Sequence, residues 1–192
     1  MTTQIVERPH GRHAAPYRPE TDQPAAPAPA GRTGWAPRVW AATRIALGFV
    51  FLWAFLDKTF GLGFSTPAQN AWINGGNPTA GFLGGVEGPF SGMFHAMAGN
   101  PVVNVLFMAG LLGVGVALIL GIGMRVAAVS GAIMMVLMWM ASLPMTSNPV
   151  IDDHVIYALV LVGLAAAKAG DTFGLGRAWA RTALVRNQPW LR

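Results

Sequence analysis

Residues 144–176 read PMTSNPVIDDHVIYALVLVGLAAAKAGDTFGLG. Asn148-Pro149 marks a turn, and three ionisable residues follow it, Asp152, Asp153 and His154. Val155 to Ala167 is then a run of 13 uncharged, almost wholly apolar residues closed by Lys168. As a helix this run spans about 20 Å, against about 30 Å for the hydrocarbon core of a bilayer. To cross, the helix has to recruit its flanks. Lys168 can snorkel along its stem at one end, and the two acids and the histidine are drawn to the interface at the other. Ionisable groups at that depth are costly and point to function. Asp153 and His154 lie four and three positions before Tyr157, so the three share one helix surface. An acid, an imidazole and a phenol in that arrangement are candidates for proton transfer. The competing reading is a helix N-terminus, where carboxylates cap free amides and meet the positive end of the dipole.

Working outward, the composition fits the same setting. Of 192 residues, 53% are hydrophobic and only 11% charged, where a soluble domain carries about 25% charge. No cysteine is present, which excludes disulfides, thiol nucleophiles and cysteine-held clusters in this chain. Met1 to Gly34 has no apolar core of the kind a secretory signal needs. Rich in Pro and Ala, residues 1–34 are expected to be a disordered tail.

Three further apolar runs precede the one quoted. The first lies within VWAATRIALGFVFLWAFLDK, at about residues 38–57. Arg44 lies about a turn inside it, as a snorkelling cation or as a buried partner for an acid or ligand. Residues 101–124 hold no charge, and Ala109, Gly113, Ala117 and Gly121 repeat every fourth position, a ridge that permits close approach of another helix or of a second copy. Residues 126–143 are again uncharged and carry Met134, Met135 and Met138. Methionines usually fill gaps, and these are also fitted to line an adaptable pocket for an isoprenoid tail. Between the first two spans, residues 59–100 form a connection long enough to imply function. Within it, TPAQNAWING and GPFSGMFHAMAGN have the look of short amphipathic helices; Phe90, Met93, Phe94 and Met97 share a helical face.

The resulting expectation is an all-α protein, a four-helix transmembrane bundle with spans at about 38–57, 101–124, 126–143 and 151–170 and short amphipathic helices in the first extracytoplasmic connection. The membrane domain covers residues 35–176, and residues 177–192 form a basic interfacial tail. With both termini cytoplasmic, 12 of the 13 Lys and Arg lie inside and only Lys58 outside, as the positive-inside rule asks of a plasma-membrane protein. This asymmetry accounts for the net charge of +5 without nucleic acid. On the outer side, Asp57, Lys58 and His95 are expected near Asp153, His154 and Tyr157 under the long connection. Lys58 is the favoured group to stabilise negative charge there, since Arg44 belongs to the inner side.

RIALGFVFLWAFLDK, LGVGVALILGIGMRVAA and NPVIDDHVIYALVLVGLAAAKAGDTFGLGR resemble the DoxX/DoxD-like membrane proteins, over residues 39–179. The resemblance implies a four-helix membrane bundle. One branch is similar to the small membrane subunit of thiosulfate:quinone oxidoreductase, which implies a quinone-linked redox subunit connected to sulfur-compound oxidation or oxidative-stress defence. On that reading Asp153, His154 and Tyr157 supply protons, and Lys58, Asp57 and His95 hold the quinone beside a partner redox subunit. No flavin, haem or metal motif is seen. The alternative is a non-enzymatic scaffold or assembly factor for a partner oxidoreductase, and a homo-oligomer is compatible with either.

Overall fold

The computed structural model describes residues 34–146 and 148–192. The expected disordered tail lies outside them, apart from Gly34. The described residues form helices and turns and no strand. Helix α1 is Ala36–Phe60, with Pro37 in the first turn, where the missing N–H costs nothing. Two 3-10 turns, Ala68–Asn70 and Trp72–Asn74, and two short helices, α2 (Ala80–Gly84) and α3 (Ser91–Met97), occupy the long connection. Helices α4 (Pro101–Leu120), α5 (Met124–Ala141) and α6 (Asp153–Ala166) follow. The chain closes with α7 (Gly176–Trp179) and α8 (Ala183–Asn187).

Among the described residues three helices, α1, α4 and α5, are long and apolar enough to cross a membrane. Helix α6 is apolar but has 14 residues. Helix α1 packs on α4, α4 on α5, α5 on α6, and α6 returns to α1. Their shared core holds Leu47 and Phe51, Met108, Val114 and Leu118, Met135, and Leu161 and Leu164. Large apolar side chains also cover the outer faces, among them Phe49, Leu106, Val129, Ile133 and Leu159. A helix apolar on both faces is at home in lipid or in a large core.

The helix ends differ from the sequence reading for local reasons. Asn100 caps α4 by accepting from the Val102 N–H at 2.9 Å. That helix stops at Leu120, not Met124, because Gly121 turns left-handed at φ 73°. Helix α6 starts after Asp152, which is its cap, and ends before Lys168, which has φ 52°.

The small-residue ridge divides: Gly121 is buried, and a Cβ there would lie 2.9 Å from the Arg44 guanidinium and 3.0 Å from Gly170, but its first half does not pack within the chain. Ala109 and Gly113 are exposed, and a Cβ on Gly113 would meet nothing within 4 Å. The close approach is one helical face over. A Cβ on Gly115 would lie 2.8 Å from the Leu52 backbone nitrogen, and one on Gly48 would lie 2.9 Å from Leu118 Cβ. Glycine at both positions lets α1 and α4 touch nearly backbone to backbone, the packing that holds helices together in lipid.

A second, smaller core sits at the α3 end of the molecule. Leu83, Val86 and Phe94 pack there on Ala141 of α5, flanked by Phe90 and Met97. Of the four residues expected on one apolar face of α3, Met93 is exposed instead.

Candidate functional site

Three polar centres stand out in this apolar frame. Two of them lie where α1 ends and α6 begins.

The first surrounds Lys58, in the last turn of α1. Among the described residues it is the only ionisable one lining a cavity of about 400 Å³. Leu83, Phe94 and Met97 from the connection roof the cavity; Val103, Phe107 and Gly110 of α4 and Met134, Met138 and Ala141 of α5 wall it. Of the three methionines named from sequence as tail-lining candidates, Met134 and Met138 are therefore at the cavity, while Met135 is in the main core. Leu106, Ile133 and Leu137 line it too and are 67%, 58% and 38% exposed, so its mouth faces outward between α4 and α5.

Thr79 and Ser130 are its other hydrogen-bonding side chains. Ser130 donates to the Val126 carbonyl at 2.8 Å. Thr79 Oγ1 donates to Asn104 Oδ1 at 2.6 Å, and both residues are buried. This bond fixes the connection to α4. Sequence reasoning missed both residues. The available signal was Asn104, the only hydrogen-bonding side chain in α4. A buried amide in an apolar helix needs a partner from elsewhere.

The second centre is Asp152, Asp153 and His154. Asp152 is the N-cap of α6: its Oδ1 accepts from the Val155 N–H at 3.2 Å, and its Oδ2 lies 2.7 Å from His154 Nδ1. Asp153 Oδ1 is 3.5 Å from the same ring nitrogen, and the Asp153 side chain is 67% exposed. The three ligand atoms fall within 4.8 Å of one another, a closeness that capping and one ring–carboxylate contact account for. Tyr157 is half-buried against the main core.

The structure brings Asp152, Asp153 and His154 together, but none of Asp57, His95, Asp153, His154 and Tyr157 lines the Lys58 cavity. Asp57 is buried and accepts from the Phe64 and Ser65 N–H groups at 3.2 and 3.0 Å and from Ser65 Oγ at 2.7 Å. It thus organises the turn after α1. His95 is exposed, with Nε2 2.9 Å from the Val86 carbonyl.

The third centre is at the opposite end of α1. Arg44 is fully buried; it does not snorkel, and among the described residues it meets no acid. Its guanidinium donates to the carbonyls of Leu118, Ile119 and, at 2.9 Å, Phe173. These include carbonyls left open at the α4 terminus. Leu120, the next, accepts from the Leu175 N–H at 2.8 Å. A cation at a helix C-terminus also meets the negative end of the dipole. A Cβ on Gly174 would lie 3.0 Å from the Arg44 guanidinium. The glycines after α6 therefore make room for this joint as well as ending the helix.

The Lys58 cavity is a mostly apolar site, open at one side, with a single cationic contact among the described residues. Such a site suits an amphiphile whose head accepts hydrogen bonds. Comparison of the chain with protein-family models, with curated proteins and with solved structures gives no match.

Proposed function

We propose that this chain is a DoxX-like integral membrane protein, a four-helix bundle in the plasma membrane that seats a quinone in the Lys58 cavity. It would act as the quinone-binding subunit of a redox complex linked to sulfur-compound oxidation or oxidative-stress defence. The observation that carries this reading is the cavity itself: one ammonium in an apolar space of about 400 Å³ that opens outward between apolar helices. Ligand pockets range from about 300 to 1,000 Å³, so a quinone head and the first part of its tail are a reasonable fill. The tail leaves past Leu106 and Leu137 into lipid.

Lys58 would donate to a quinone carbonyl oxygen and stabilise the negative charge that grows there as electrons arrive. A partner subunit oxidises the donor and supplies two electrons; two protons from water complete the quinol. Asp152 and His154 remain in the cap of α6, with Asp153 beside them.

The charge split of 12 to 1 supports cytoplasmic termini and an outer connection. Helix α6, about 21 Å long, completes the fourth crossing with residues 148–152 and 167–170. In intact cells an impermeant thiol reagent should label Gln69→Cys and spare Ala183→Cys; the reverse pattern would overturn the orientation.

The test of function is extraction of lipid from protein purified in mild detergent, alone and with whatever subunits accompany it. Quinone should accompany the wild-type chain and be depleted in Lys58→Met at unchanged thermal stability. A quinone-free wild type that still holds a partner oxidoreductase would sink the redox reading and favour the scaffold.

A further inference from the structure

A second cleft lies between α5 and α6, running from the Arg44 end to Ile133, the one lining residue it shares with the Lys58 cavity. Its volume is about 660 Å³. Small residues, Ala128, Ala132 and Ala165, line it, and outward-facing Val129 and Val162 flank them. On α5 it runs from Arg125 to Ile133, about 12 Å along the helix. That is close to the depth of one leaflet, about half of the 30 Å core.

The charged residues are all at one end. Arg125, Lys168, Asp171 and Arg192 line the cleft there, beside Trp179. Arg192 is 3.1 Å from Asp171. Arg125 uses one guanidinium N–H on the Pro189 carbonyl at 3.1 Å. Among the described residues, neither Arg125 nor Lys168 has a carboxylate within 4.0 Å. Both are exposed. An apolar furrow of leaflet depth, open to the side and headed by two cations with no carboxylate in contact among the described residues, complements the shape and charge of an amphiphile with an anionic head.

We infer that this cleft is a binding site for an anionic glycerophospholipid, with its phosphate between Arg125 and Lys168 and one acyl chain along Ala128, Ala132 and Ala165. The inference rests on the membrane setting proposed above, but not on the quinone. Bound there, the lipid bridges α5 and α6 and covers the side of the segment that Arg44 ties down.

The experiment is native mass spectrometry of the full chain after exchange into equimolar phosphatidylglycerol and phosphatidylcholine. Phosphatidylglycerol should survive delipidation, and phosphatidylcholine should not. The Arg125→Ala/Lys168→Ala variant should bind phosphatidylglycerol about thirtyfold more weakly, while Arg186→Ala, outside the cleft, should match the wild type. Ala132→Phe, which fills the furrow and leaves both cations, should also lose the lipid. Equal retention of the two lipids by the wild type would overturn the site without need of any variant. Displacement of phosphatidylglycerol by excess inorganic phosphate would overturn the acyl-chain part and leave an anion site. Failure of the membrane setting would register separately, as a chain that stays dispersed without detergent.

Discussion

Arg44 of α1 donates to the carbonyl of Phe173 at 2.9 Å, across 129 positions of sequence. Phe173 takes φ 49°, a left-handed conformation uncommon outside glycine, in the turn that carries its carbonyl to the guanidinium. Because Arg44 also holds the end of α4, one side chain joins the first helix, the second long helix and the segment after the last.

Removing that joint strands carbonyls in a buried place. Hydrogen bonds to charged groups contribute about 1.5–3 kcal/mol each, so Arg44→Met should destabilise by several kcal/mol. Arg44→Lys should recover only part, since an ammonium lacks the planar fork that reaches both the end of α4 and the turn at Phe173. Thermal unfolding in detergent decides: a melting temperature for Arg44→Met equal to wild type would remove the joint from the account.

The α1–α4 contact predicts opposite fates for glycines two positions apart. Gly115→Leu and Gly48→Leu should prevent folding or lower the melting point sharply, because the added atoms meet the Leu52 backbone in one case and Leu118 in the other. Gly113→Leu should be neutral or stabilising by up to about 1 kcal/mol through helix propensity. A Gly113→Leu variant that unfolds, with Gly115→Leu intact, would move the interface to the ridge.

At the start of α6 the acids should separate by role. Asp152→Ala should cost about 1 kcal/mol, as for other N-caps. Asp153→Asn, at an exposed position, should change stability by less than about 0.5 kcal/mol. Equal losses would mean that the two acids act as a pair.

The frame was legible because long apolar helices announce themselves by length and by the absence of charge, and α3 by spacing; TPAQNAWING instead forms two 3-10 turns, and α2 falls outside both expected segments. What the sequence hid is which face of each helix looks inward. Helices apolar all round carry no amphipathic signal, so the evenly spaced ridge at Ala109 and Gly113 looked like an interface, and Gly48 with Gly115, on different helices, did not. Arg44 was ambiguous for a related reason: its partners are backbone carbonyls, which no side-chain pattern marks. At the candidate site, Lys58 and the two cavity methionines were readable one by one. Their meeting with Thr79 and Phe94 depends on how the connection folds back over α4 and α5, and spacing along the chain says nothing about that.

That fold-back sets the sharpest expectation. Gly110 of α4 lines the Lys58 cavity, and a Cβ there would run only into the terminal methyl of Met134. Met134 is flexible and can swing aside, so a larger residue at 110 should be accommodated, but at the expense of the cavity. Gly110→Leu should therefore fold with near-wild-type stability and lose bound quinone by about tenfold, the equivalent of about 1.4 kcal/mol. Gly113→Leu, on the same helix and facing outward, is the matched control and should retain it. Lys58→Met separates the head from the tail: it leaves the cavity volume nearly unchanged, removes the ammonium, and should weaken quinone binding while a tail analogue without a quinone head binds as before. These are measured by quinone content after extraction and by displacement of a fluorescent isoprenoid. If Gly110→Leu and Lys58→Met both keep the wild-type quinone content, the cavity is packing space and the ligand, if there is one, sits elsewhere.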